Sequence, residues 1–122
     1  MEDVILHKGE VHCMLETLLM SQNAERVLVY LTARQEGYTR EIARFYSVDA
    51  DSIKKQLTKL ESGSVLISSM VGKTKIYRFN PRYPFLPELL SLLNKAISFY
   101  PDEEKSRLLD FRSRPRRSGK PL

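Results

Sequence analysis

A chain of 122 residues, 42% hydrophobic and 29% charged, is long enough to bury one core unaided and ordinary in composition for a globular domain. Its single cysteine excludes an internal disulfide and any cysteine-rich zinc module, and no apolar run approaches the length that crosses a bilayer. The net charge of +5 is segregated: residues 40–82 carry nine basic and four acidic groups and residues 112–122 five basic and none acidic, against three and six in residues 1–39 and three and five in residues 83–111.

The opening segment "MEDVILHKGE" is acidic and has no signal-peptide layout, so a cytoplasmic location is expected. His7, His12 and Cys13 are the strong soft-metal candidates. His12 and Cys13 are neighbours and point to different faces of a helix, so no metal or other cofactor is assigned. Glu10–Met20 places Val11, Met14, Leu15, Leu18 and Leu19 at helical spacing. Ser21 or Asn23 caps the next helix, "AERVLVYLTAR", with a stripe of Val27, Leu28 and Leu31, and "QEGY" breaks it at Gly37. Thr39 is expected to cap a short helix, "REIARFY", that gives Ile42, Ala43 and Tyr46 to the core. Glu41 lies two residues after Thr39, so this spacing misses a capping box.

"SVD" is a tight connection, and Asp49 caps "ADSIKKQLTKLES", which Gly63 is expected to stop. At about 100° per residue, Ile53, Leu57 and Leu60 share one face. Asp51, Lys55, Thr58 and Lys59 fall opposite, with Ser52 and Lys54 on the flanks. "VLISSMV" and "KIYRF" read as the strands of a hairpin closed by Asn80-Pro81. The intervening "VGKT" is not a nucleotide loop. A phosphate-cradling loop needs glycine where Ile67 stands and a helix starting at Lys73, but a strand follows. A hairpin tip carrying Lys73, Thr74 and Lys75 suits cations laid against a row of phosphates. "FLPELLSLLNKAISF" is a helix apolar nearly all round, with Pro84 and Pro87 tolerated at its start. "PDEEKSRLLDF" adds a short helix led by Pro101, with Glu103 and Glu104 in its first turn where the helix dipole favours acids. "RSRPRRSGKPL" has no apolar periodicity and reads as a flexible basic tail.

The order is three helices, a tight turn, a lysine-faced helix, a hairpin and an apolar helix. A short turn between two helices is a helix-turn-helix pattern, and the hairpin after it makes a winged helix. The expected fold is mainly α with a small β-hairpin. "SQNAERVLVYL", "TREIARFYSVDADSIKKQLTKLESGSVL", "VGKTKIYRFNP" and "YPFLPELLSLL" together resemble the winged helix-turn-helix regulators of the ArsR-like superfamily over about residues 14–97. The resemblance implies a homodimer on double-stranded DNA. Residues 1–100 would form the DNA-binding domain with N- and C-terminal dimerisation helices, and 101–122 a short helix and basic tail. The family's base-reading positions match Asp51, Ser52, Lys54 and Lys55, and its wing matches Gly72–Lys75. The paired cysteines of metal-sensing members are absent from "REIARFY", so a member of the type that does not sense metal is implied.

On this reading Arg40, Arg44, Lys59, Lys73, Thr74 and Lys75 contact phosphate, although Arg44 has the alternative of pairing with a nearby acid. Tyr77 and Phe79 are expected in the hairpin core rather than stacked on bases. Arg114, Arg116 and Arg117 in the tail are expected to add phosphate contacts. The apolar helix has more apolar surface than one small domain covers, so Leu86, Leu89, Leu90, Leu93 and Ile97, with Leu15 and Leu18, are expected at a dimer interface, the alternative being that the first helix and the C-terminal helix cover it within one chain. No spacing brings a nucleophile beside a base, so the chain reads as a binding protein and not an enzyme. The rival reading is a winged helix that serves as a protein-interaction module, an adaptor or a neutralising partner of an enzyme.

Overall fold

The computed structural model describes residues 14–110, which form a mainly helical fold with a small antiparallel sheet. In order these are α1 (Glu16–Leu19), α2 (Gln22–Arg34), β1 (Glu36–Gly37), α3 (Thr39–Tyr46), α4 (Ala50–Ser62), β2 (Leu66–Val71), β3 (Thr74–Phe79), α5 (Leu86–Ser98) and α6 (Asp102–Leu109). The sheet order is β1-β3-β2. His7 and the first four residues of the expected N-terminal helix, including His12 and Cys13, lie outside the described residues, as does the basic tail. Among the described residues no helix is long and apolar enough to cross a membrane.

Local chemistry sets most of these boundaries. Ser21 caps α2 by accepting from the Ala24 N–H at 3.1 Å. The cap of α3 is Tyr38 and not Thr39, which is already helical. With that shift Glu41 occupies the third helical position, where its Oε1 accepts from the Tyr38 N–H at 3.4 Å. Ser47 ends α3 in the left-handed region at φ 56°, and Asp49 starts α4 two residues later. Gly63 does follow α4, but its φ is −87° and the left-handed residue is Ser64 at φ 67°.

Gly37 has a different role from the helix breaker expected. It pairs with Tyr77 in the third strand of the sheet. A Cβ there would lie 2.9 Å from Cε1 of Tyr30, so only glycine lets β1 approach α2 this closely.

The core has two parts, one on each side of α2. Val27, Tyr30 and Leu31 pack with Ile42, Ile53, Leu57, Leu66 and Tyr77 from α3, α4 and the hairpin. Leu28 and Val29 pack with Leu93, Tyr100 and Leu108 from the C-terminal elements. All five residues Val27–Leu31 are buried, so α2 is enclosed rather than striped. This packing corrects one site expectation. Leu93 is 0% exposed inside a single chain and cannot meet a second copy. Leu89 and Ile97, on the same row, also pack against the second part of the core, and Leu15 does so from the segment before α1. Leu86 and Leu90 stay half-buried on the neighbouring row, while Leu18 is 64% exposed.

Candidate nucleic-acid interface

Helix α4 divides as its periodicity requires. Ile53 and Leu57 are fully buried and Leu60 is half-buried. Asp51, Lys54, Lys55, Thr58 and Lys59 are exposed and together form an open surface along the outer side of the helix. The first turn is held by Asp49, whose Oδ2 accepts from the Ser52 N–H at 2.9 Å and whose Oδ1 accepts from Ser52 Oγ at 2.8 Å. These bonds, the backbone one foremost, hold the Asp49 carboxyl below its ordinary range. The Ser52 hydroxyl therefore has its proton committed to the cap and offers a ligand only acceptor capacity.

A basic groove, about 440 Å³, is lined by Tyr38, Thr39, Arg40, Arg44, Lys73, Thr74 and Lys75. The backbone explains why these residues meet. β1 pairs with β3 and runs directly into α3, so the start of α3 lies beside the hairpin. The hairpin closes through Gly72-Lys73, with Gly72 at φ +65° and open space around its Cβ position. A positive φ at the first of two loop residues suits glycine and matches the twist of the strands. Arg40 and Arg44, one helical turn apart on α3, thus face Lys73 and Lys75 across the groove.

The cations are not equivalent. Arg40 and Arg44 are exposed, and neither has an acidic partner within 4 Å among the described residues, so the alternative pairing of Arg44 is not seen there. Lys75 is tied within the chain, with Nζ 3.5 Å from Glu61 Oε1 and 5.4 Å from the Tyr77 ring centroid. Arg78 is on the hairpin, where Nη1 reaches Ser69 Oγ at 3.5 Å. Tyr77 is 1% exposed and Phe79 half-buried against both parts of the core, so neither ring offers a stacking platform. Arg114, Arg116 and Arg117 lie outside the described residues.

Two acids escaped the sequence reading. Glu61 sits under the hairpin, where its Oε2 also accepts from Ser68 Oγ at 2.6 Å. No spacing rule links the end of a helix to the inner face of the next strand pair. Glu25 is fully buried in α2, and its one visible sign was an acid placed just before the apolar run "VLVYL". No family model, characterised protein or solved structure matches this chain, so its fold and surface chemistry carry the functional argument.

Proposed function

We propose that this protein is a winged helix-turn-helix regulator that binds double-stranded DNA sequence-specifically as a homodimer and represses transcription. The observation that carries the reading is the division of α4: one face is locked into the core, and the other presents Lys54, Lys55 and Lys59 to water. A helix so anchored is a rigid rod with a cationic outer side, the shape a major groove admits. The groove between α3 and the hairpin, with Arg40, Arg44 and Lys73, supplies flanking cations for the phosphate backbone. In this reading β2 and β3 are the wing, and a second copy covers the outer row of α5 at Leu86 and Leu90. Phe85, 63% exposed, and Leu18, 64% exposed, belong to the same proposed interface. Repression is the simpler mode because occluding a promoter requires no further contacts.

Selection of bound fragments from random duplex DNA tests binding, specificity and half-site symmetry together. On the selected site Lys55→Ala should weaken binding by about 1–3 kcal/mol and relax preference at one base pair, with melting unchanged. Unchanged affinity would remove Lys55 from the base-reading set. Failure to enrich any duplex would reject the DNA reading and favour a protein-interaction module.

A further inference from the structure

Glu61 is an acid inside a basic surface, and its geometry gives it a role there. It sits in the last turn of α4 with its side chain 32% exposed, in the angle between that helix and the hairpin. Oε2 accepts from Ser68 Oγ on β2 at 2.6 Å, and Oε1 lies 3.5 Å from Lys75 Nζ on β3. Ser68 stands opposite Tyr77, and Lys75 is two residues before Tyr77, so all three share one face of the hairpin. Electrostatic interaction with Tyr77 and with the Glu61 carboxylate holds the Lys75 ammonium above its ordinary range. Lys75 also lines the groove with Arg40, Arg44 and Lys73. Of these four cations it alone has a carboxylate within 4 Å among the described residues.

We propose that Glu61 is a positioning residue of the DNA-binding surface: it ties the hairpin to the end of α4 and withholds Lys75 from phosphate. The inference rests on the DNA-binding reading. The pair is half in water, with the Lys75 side chain 50% exposed, so it is weak enough to exchange and strong enough to bias the free protein. Random duplex then gains little from Lys75, because each new phosphate contact must replace the one to Glu61. A well-fitted site, where neighbouring contacts hold a phosphate close, can draw the ammonium across. Glu61 in this way lowers random binding more than specific binding.

The test is a cycle of Glu61→Gln and Lys75→Ala, read as the slope of log affinity against log salt on random duplex. Glutamine still accepts from Ser68 but releases the ammonium. Glu61→Gln should steepen the slope by about 0.9 per chain and tighten binding about eightfold at 0.1 M salt. Lys75→Ala alone should leave the wild-type slope nearly unchanged, and in the Glu61→Gln background it should abolish the gain. If Glu61→Gln tightens binding equally with and without Lys75, the effect is one of general charge and the proposal is wrong. If Lys75→Ala flattens the wild-type slope by about 0.9, Lys75 already holds a phosphate and the proposal is again wrong, even should Glu61→Gln prove too unstable to measure. A wild type with no salt-dependent duplex binding would sink the DNA reading and this inference with it. A wild type that binds normally, with no steepening in Glu61→Gln, would sink this inference alone.

Discussion

Glu25 is fully buried, with Oε1 accepting from the Leu15 N–H at 2.9 Å and Oε2 from Tyr100 Oη at 3.1 Å. Two donors do not replace the lost water. Burial pushes the carboxyl from its ordinary 4.5 up to about 7; the bonds from Tyr100 and Leu15 oppose the rise, nearby Glu16 adds to it and Arg26 opposes it. Between those values the folded chain holds a proton that the unfolded chain has released. The stability this group contributes is therefore complete below about pH 4.5 and is lost as pH rises through 7. Wild type should lose about 1–3 kcal/mol through this group between pH 5 and pH 8. Glutamine at 25 can still accept from Leu15 and donate to Tyr100, and should remove that loss. Denaturant melts of wild type and Glu25→Gln at both pH values check it. A constant difference between the two proteins would show that Glu25 does not titrate in this window. Gly37 makes the same point about context. Its identity suggested a break, and only the position of Tyr30 shows that it is needed for close approach.

At the scale of the element, α6 is held by side chains far away in sequence. Arg34, the last residue of α2, donates from Nε to the Leu108 carbonyl and from Nη2 to the Arg107 carbonyl, both at 2.9 Å. The Arg107 carbonyl also accepts from the Asp110 N–H that ends α6. The Leu108 carbonyl belongs to the last turn, where helical donors run out, and a cation there complements the dipole. Arg107 returns the contact, donating to the Phe45 carbonyl at 2.6 Å with its guanidinium 4.1 Å from the Phe45 ring centroid. Arg34 lies over the Tyr30 and Phe45 rings as well, at 5.1 and 5.2 Å. Arg34→Ala should cost about 1–3 kcal/mol in global stability. It should also speed amide hydrogen exchange in α6 more than in α4, since only buried Leu108 and the contact of Arg107 with Phe45 would then anchor the short helix. Equal acceleration in both helices would mean that α6 has no local stability for Arg34 to supply. The helices themselves were legible from capping residues and apolar spacing, whereas this clamp joins positions more than 70 residues apart.

For the whole molecule, α2 is the shared wall of both halves of the core, and that decides what α5 can offer a partner. α5 turns Leu89, Leu93 and Ile97 inward and leaves Leu86 and Leu90 on the row beside them. Leu93→Glu should unfold the chain, because it buries an unpaired charge against Leu28 and Val29. Leu90→Glu should leave the fold intact and, if a second copy covers that row as proposed, convert dimers to monomers. Circular dichroism with sedimentation velocity at micromolar concentration separates the outcomes. A wild type that sediments as a monomer would remove the second copy from the proposal.

The sequence by itself determined the elements that local chemistry can specify. Ser21 and Asp49 as caps, the buried and basic faces of α4, the Gly72 hairpin and the start of α6 at Pro101 each depend on residues within a turn of one another. Periodicity likewise showed that α5 has more apolar surface than one face can use. It did not show which row faces inward, because Leu89/Leu93 and Leu86/Leu90 are equivalent until α2 lies against one of them. Tertiary structure also decided that Gly37 joins a sheet, that Glu25 meets Tyr100, that Arg34 closes α6, and that Glu61 holds Lys75. Each of these joins groups distant along the chain, and no periodicity or capping rule extends beyond the element that contains it.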